Sequence, residues 1–94
     1  MSYLLSKKAE EDVIAIYLDG ASEFGVQRAD QYHQQLKKTF QFLSDNPEAA
    51  HLRHELVPAV RIHPCQSHMV IYTVNEDRDA FIIRIRHQRE DWLR

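Results

Sequence analysis

The sequence predicts a small α+β domain in which a short strand and two helices precede three consecutive strands. Apolar residues recur every three or four positions as far as residue 46, and they alternate with polar residues from residue 59 onward. The length of 94 residues provides for one hydrophobic core. We therefore predict that residues 1–94 form a single domain, with an antiparallel helical hairpin packed on a twisted, mainly antiparallel sheet.

The first half of the chain predicts a strand followed by the helical hairpin. Tyr3-Leu4-Leu5 is a brief apolar run, and Ser6 after it is a favourable N-cap residue. Apolar residues with helical spacing then fall in two segments separated by Gly25. They are Ala9, Val13, Ile16, Tyr17 and Phe24, followed by Ala29, Tyr32, Leu36, Phe40 and Leu43. Asn46-Pro47 ends the second helix because proline cannot continue it.

The second half predicts a loop over residues 47–58, entering a strand near Leu56, and then a three-stranded meander. Alternating residues mark strands at 60–63, 69–74 and 81–87, and residues 75–79 form a polar turn. In the last strand, strict alternation places Phe81, Ile83, Ile85 and His87 on one face and Ile82, Arg84 and Arg86 on the other. The arginine face is expected to point away from the helices.

The net charge and the cysteine content limit the classes of protein to which the chain is expected to belong. The net charge of −2 argues against binding nucleic acid through a large positive field. The single Cys65 cannot form an internal disulfide, which fits a reducing compartment. The opening residues lack the long apolar stretch of a signal peptide, and no run approaches the ~20 apolar residues of a membrane span. We expect a cytoplasmic protein.

Six short segments carry a resemblance to a known family. They are Ser6-x-x-Ala9-x-x-Asp12; Phe24-Gly25 with Ala29 and Tyr32; Asn46-Pro47; Arg61; Ser67-His68 with Ile71-Tyr72; and Arg84-Ile85-Arg86-His87-x-x-x-Asp91-Trp92. In this order and spacing the chain resembles ParE-type toxins of the RelE/ParE toxin-antitoxin superfamily over nearly its whole length. Three positions depart from the family: Ala50 and Ala59 where glycine is frequent, and Arg86 where leucine is common.

The resemblance implies a toxin that works by protein contact and not by catalysis. Such toxins bind DNA gyrase and stop replication until a cognate antitoxin wraps them, and they are associated with plasmid stabilisation. The implied partners are thus an antitoxin and gyrase, without direct nucleic-acid contact, cofactor or metal.

Two sets of residues are candidates for these contacts. Arginine suits bidentate and stacked contacts, and the second half has seven arginines and no lysine. We expect target or partner contacts from Arg61, Arg84, Arg86, His87 and Trp92. Ion pairs of Arg84 and Arg86 with Glu90 and Asp91, and a core-capping role for Trp92, are the structural alternatives. An antitoxin is expected to cover apolar surface at Tyr3, Leu4, Leu52, Leu56 and Val57.

Two other functions and a structural metal site are alternatives to this interpretation. A RelE-like ribosome-dependent mRNA endonuclease needs acid–base groups and positive charge that binds phosphate. The candidates in this sequence are Arg61, His63, His68, Tyr72, Arg84 and His87. A zinc site at His51-x-x-His54 with His63 and Cys65 is disfavoured because no CxxC pair accompanies it. The third alternative is a non-toxic relative that keeps only an antitoxin-binding role.

Overall fold

A computed structural model describes residues 2–89 and confirms the predicted α+β fold. The elements are β1 (Tyr3–Leu5), α1 (Lys7–Phe24), α2 (Val26–Asp45), β2 (Leu52–Arg53), β3 (Val60–Cys65), β4 (His68–Val74) and β5 (Ala80–His87). They form one five-stranded sheet in the order β1-β5-β4-β3-β2. β1 runs parallel to β5, and every other neighbouring pair is antiparallel. No helix in residues 2–89 combines the length and the apolar character needed to cross a bilayer.

The strand expected near Leu56 lies earlier than predicted. The two residues of β2, Leu52 and Arg53, pair with Arg61 and Val60 of β3. The chain then turns through residues 54–58 before β3 begins. Leu56 does not pair in the sheet but packs its side chain against it. Pro47 and Pro58 indicated a loop over the whole segment between them, so the sequence did not show which part of it forms the strand.

The helical hairpin begins at the predicted N-cap and turns at the predicted glycine. Ser6 Oγ accepts a hydrogen bond from the Ala9 amide at 2.9 Å, which satisfies one of the unpaired amides at the start of α1. Gly25 alone separates the two helices, with φ of 95°. This left-handed conformation is accessible to glycine without steric cost.

The sheet carries apolar side chains on both faces. The larger cluster lies between the sheet and the helices and contains Leu36, Phe40, Leu43, Val70, Tyr72, Ile82 and Ile85, with Ala9 and Ala80. A smaller cluster on the opposite face, hereafter the outer face, contains Val60, Ile62 and Ile71, with Leu56, Met69 and Ile83 packed against them. Both faces of the sheet therefore bury apolar side chains from solvent.

A β-bulge in β5 overturns half of the predicted side-chain alternation. Ile71 pairs with Arg84 and Tyr72 pairs with Ile82, so Ile83 is an extra residue between them. Before the bulge the prediction is wrong, because Ile82 joins the helix-side cluster and Ile83 lies on the outer face. After the bulge the alternation is as predicted, with Ile85 against the helices. The uninterrupted apolar run from 81 to 83 gave no sign of the extra residue.

Candidate functional site

The Ser6-x-x-Ala9-x-x-Asp12 pattern fastens α1 to the end of the sheet. Ser6 Oγ donates a hydrogen bond to the Ile83 carbonyl at 2.6 Å, across the bulge in β5. Ala9 has no exposed surface, and its small side chain lets the first turns of α1 approach the sheet closely. The three residues recur at helical spacing, so they act from one side of α1.

Asp12 is the strongest of these attachments. Its carboxylate accepts two hydrogen bonds from Arg84, from Nε at 2.8 Å and from Nη2 at 3.0 Å. It also accepts the Ile85 amide at 3.0 Å. Arg84 lies on the outer face by its register with Ile71, yet its guanidinium reaches round the edge of the sheet to α1. The fork geometry of arginine makes this a directional, charge-assisted contact.

An open groove lies between the helical hairpin and the end of the sheet. Its volume is about 740 Å³, within the range of ligand and peptide sites. The hairpin groove, as we define it, is lined by apolar residues of both helices, by charged residues near the hairpin tip and by histidines of β4 and β5. Its main lining residues are Val13, Ile16, Phe24, Ala29, Tyr32, Leu36, Asp19, Glu23, Arg28, His68 and His87.

Three aromatic side chains at the sheet end of the hairpin groove are joined by one hydrogen bond and one ring contact. The Tyr32 hydroxyl donates to the Cys65 carbonyl at 3.0 Å and lies 2.6 Å from His68 Nδ1. A carbonyl only accepts, so His68 Nδ1 then donates to the phenol oxygen. The His68 and His87 rings contact edge to face with centroids 5.2 Å apart. His87 Nδ1 accepts the Arg89 amide at 3.1 Å, which fixes the start of the segment after β5.

Burial raises the pKa of Tyr32 to about 12, with a further contribution from nearby Cys65. The phenol is therefore protonated at neutral pH, and it serves as a hydrogen-bonding group and not as a base. A folded-state pKa above the ordinary value of 10.0 means that folding favours the protonated form. This contribution to stability is complete below pH 10 and is lost as the pH rises to about 12.

A Tyr32→Phe substitution is expected to expose this pH dependence. At pH 7 the variant should be less stable by about 1 kcal/mol, since the Cys65 carbonyl loses its donor. Between about pH 10 and 12 the difference should shrink, because only the wild type must suppress ionisation at position 32. Urea unfolding at several pH values measures both quantities. A stability difference that stays constant up to pH 12 would contradict the assignment.

Of the five residues predicted to contact the target or a partner, the four that the structure describes do not form one cluster. Arg86 lies opposite Met69 on the outer face, whereas His87 lies opposite His68 and lines the hairpin groove. Arg61 is on the helix side, where Nη1 donates to the Ala50 carbonyl. Arg84 is engaged by Asp12, as described above. Trp92, and the proposed ion-pair partners Glu90 and Asp91, lie outside the described residues.

The apolar residues assigned to antitoxin contact fall at opposite edges of the sheet. Tyr3 and Leu4 belong to β1 at one edge, and Leu52 belongs to β2 at the other. Tyr3 is half-buried, with its ring 5.5 Å from that of Phe40. Leu4 is 49% exposed and Val57 is 97% exposed, whereas Leu52 and Leu56 are half-buried. A single short segment does not reach both edges at once.

Sequence reasoning missed a larger apolar surface on the helical hairpin. Ile14, Leu18, Phe24 and Val26 are each about 60% exposed. Val13 and Phe24 were both identified by their helical spacing. Val13 packs partly against the core and also lines the groove, whereas Phe24 stays exposed. Ile14 and Leu18 are not among the core-facing positions of α1, but they are four residues apart. Their spacing indicates a second apolar face on the helix, from which the exposed surface could have been predicted.

The remaining candidate residues belong to the nuclease and zinc alternatives. Tyr72 is fully buried, donating to the Pro47 carbonyl at 2.9 Å and accepting the Ala50 amide at 3.3 Å. The His63 ring packs on Phe42 at 5.5 Å, and burial lowers the pKa of His63. Cys65 is buried and accepts from Thr39 Oγ1. His51 and His54 are exposed. Over residues 2–89, no three possible metal ligands come together.

Comparison with known proteins gives concordant findings. A family model described as "ParE toxin of type II toxin-antitoxin system, parDE" matches residues 3–92. A relative named "Toxin ParE1", found in two strains of Mycobacterium tuberculosis, is 29% identical over 89 residues, which cover 95% of this chain and 91% of the relative. A solved structure titled "Chromosomal ParDE TA system from P. aeruginosa" aligns with a TM-score of 0.77 at 25% identity, over 93% of this chain and 95% of that one.

Proposed function

The chain belongs to the ParE toxin family of type II toxin-antitoxin systems, and from this premise we propose that it inhibits DNA gyrase by direct binding in the cytoplasm and is neutralised by a cognate antitoxin. The proposed mechanism is energetic and steric. A toxin that binds one conformational state of gyrase more tightly than the others raises the population of that state by its differential affinity. No bond is made or broken by the toxin itself.

The observation that carries the proposal is the hairpin groove. It is open along one side and combines apolar helix residues with charged residues at its rim. Exposed apolar surface rimmed by polar groups is typical of protein-binding sites. The solved relative is titled as a ParDE system, which supports a second protein as the natural partner of this fold. We propose that an antitoxin covers the hairpin groove with one segment, and that separate segments cover the exposed residues Leu4 and Val57 at opposite edges of the sheet.

The end of β5 is the proposed contact with gyrase. Arg86 and His87 are consecutive and lie on opposite faces of the last strand, so they flank the chain as it leaves the sheet. We propose that both residues, with Trp92 beyond them, contact the target. Arg61 and Arg84 remain in the proposed set, but each already donates hydrogen bonds within the protein. Their proposed role is mainly to hold the loop and strand that present the others.

A gyrase supercoiling reaction tests this proposal with the wild type beside a chain truncated after His87. The wild type is expected to inhibit supercoiling or to accumulate cleaved DNA, and truncation should weaken this effect at least tenfold. Truncation also removes the bond from the Gln88 amide to the Ser67 carbonyl at 3.0 Å, so circular dichroism must show that the chain still folds. Arg86→Ala provides a milder second variant, and Arg53→Ala, at the far edge of the sheet, is its matched control. A wild-type protein that neither inhibits supercoiling nor accumulates cleaved DNA would contradict the proposal.

The Tyr32–His68–His87 cluster favours a second candidate, ribosome-dependent mRNA cleavage. Two imidazoles lie in contact at the end of an open groove, and imidazole is the side chain that most often transfers protons in catalysis. Wild-type protein in a translating extract would then cut mRNA, and His68→Ala or His87→Ala would abolish the cuts. Such cleavage with unchanged gyrase activity replaces the first proposal by the second.

A further inference from the structure

Three carboxylates lie in a row along one side of α1. Asp12, Asp19 and Glu23 follow one another at intervals of seven and four residues, which at about 100° per residue places them within about 40° of one another around the helix axis. At about 1.5 Å per residue, this acidic row extends for roughly 16 Å. It begins beside β5, where Asp12 accepts the Ile85 amide, and continues into the hairpin groove, which Asp19 and Glu23 line.

The sheet supplies a cation to the first carboxylate of the acidic row. Arg84 of β5 donates two hydrogen bonds to Asp12, and β5 ends at His87. Asp19 and Glu23 lie farther along α1, and both are exposed. Within residues 2–89 neither of them forms an ion pair, either with the sheet or with Arg28, which lines the groove from α2. The two carboxylates inside the groove are thus accessible to a cation from another molecule.

Asp19 and Glu23 occupy positions where negative charge opposes the stability of α1. They are one helical turn apart, so their like charges repel. Both fall within the last six residues of the helix, whose carboxyl end carries the partial negative charge of the dipole, and its last turn has no basic residue. The free toxin therefore bears an electrostatic cost inside the groove, and a bound cation would relieve it.

The groove beside these carboxylates is apolar. Ile16 and Ala29 line it next to Gly20, where the two helices are so close that a Cβ atom on Gly20 would lie 3.7 Å from that of Ala29. A segment that fits this surface needs apolar side chains on one face and positive charge on the flank that meets α1. One guanidinium reaches both carboxylates, since Cβ atoms at this helical spacing are roughly 5–6 Å apart.

We propose that the antitoxin segment in the hairpin groove is amphipathic and carries a basic side chain that binds Asp19 and Glu23, as Arg84 binds Asp12 within the toxin. This inference rests on the proposed function, in which an antitoxin occupies the groove. It adds the chemistry of the segment, whose positive flank distinguishes it from an acidic segment of equal hydrophobicity. The affinity of the complex is therefore expected to fall as the salt concentration rises.

Calorimetric titration with the antitoxin encoded beside the toxin tests the charge contact. Asp19→Asn combined with Glu23→Gln should weaken binding roughly tenfold at low salt, and the difference from the wild type should shrink at about 1 M salt because ions screen the contact. Glu76→Gln combined with Asp77→Asn is the matched control. It removes two exposed acids from the turn between β4 and β5, with the same change in net charge, and should leave the affinity within about twofold.

Thermal unfolding of the free toxin separates lost binding from lost folding. Without the two charges α1 should be more stable, so the melting temperature of the double variant should rise by about 2–5 °C. Equal affinity of the wild type and this variant for the antitoxin, or a loss that does not depend on salt, overturns the inference and leaves the proposed function standing. A wild type that does not bind the antitoxin contradicts the proposed function itself. A variant that binds antitoxin normally but inhibits gyrase more weakly assigns the acidic row to the target, which also overturns the inference.

Discussion

Replacing Asp12 by alanine is expected to destabilise the protein by about 2–3 kcal/mol. The carboxylate accepts three hydrogen bonds, two from Arg84 and one from the Ile85 amide, and its side chain is only 16% exposed. Its loss leaves a partly buried guanidinium and a backbone amide without their acceptor. A small domain has about 5–15 kcal/mol of stability in total, so this is a large fraction. Urea unfolding followed by circular dichroism measures the change.

The controls separate a lost contact from a change in helix charge. Glu10→Ala removes an exposed acid from the same turns of α1 and should change stability by less than about 0.5 kcal/mol. Asp12→Ala combined with Arg84→Met removes both charges and should cost less than the sum of the single changes. Additive effects, or an Asp12→Ala variant as stable as Glu10→Ala, would show that the edge contact contributes little.

Replacing Tyr72 by alanine is expected to cost about 3–5 kcal/mol. The ring is fully buried among α2 and the sheet, and its hydroxyl holds the loop after α2 through the Pro47 carbonyl and the Ala50 amide. Tyr72→Phe keeps the ring and removes only these two hydrogen bonds, and it should cost about 1–2 kcal/mol. Thermal unfolding of the two variants separates packing from hydrogen bonding. Equal losses would mean that the ring itself adds no stability.

The order of the loop at Ala50 is expected to depend on the hydroxyl of Tyr72. Arg61 Nη1 donates to the Ala50 carbonyl, so Tyr72 and Arg61 hold the same residue from two directions. In Tyr72→Phe, hydrogen exchange at the Ala50 amide is expected to accelerate, while exchange in α1 stays as in the wild type. Unchanged exchange at Ala50 would contradict this role of the hydroxyl. The family's frequent glycine at this position is therefore not required for the contact, because only backbone atoms of Ala50 take part.

Local patterns in the sequence predicted most of the fold. Helical spacing located α1 and α2, and Ser6 and Gly25 were identified as cap and hinge from residue type alone. These features depend on neighbours within four positions along the chain. The bulge in β5 was not predictable, because Phe81, Ile82 and Ile83 are all apolar and suit either face. The parallel pairing of β1 with β5 likewise joins segments about 77 residues apart.

The candidate site was predicted less completely for the same reason. Asp12 was identified within a family pattern, yet its partner Arg84 lies 72 residues away and was assigned to target contact. The Tyr32–His68 contact joins a helix to a strand over 36 positions, and the sequence placed the two residues in separate family segments. The exposed stripe at Ile14 and Leu18 was available as a second apolar periodicity on α1. One helix with two apolar faces is recognisable only when the residues outside the core face are considered separately.

The side chains of Ser6 and Asp12 also determine where the sheet can be extended. They occupy the Ile83 carbonyl and the Ile85 amide, which are backbone groups that an added strand would need beside β5. An unguarded edge of this kind recruits strands from other chains and promotes aggregation. As long as α1 stays docked, intermolecular β-pairing along this stretch is blocked without a proline or a lysine in β5. The same two side chains that anchor the helix are therefore expected to keep the toxin from aggregating through the edge of β5.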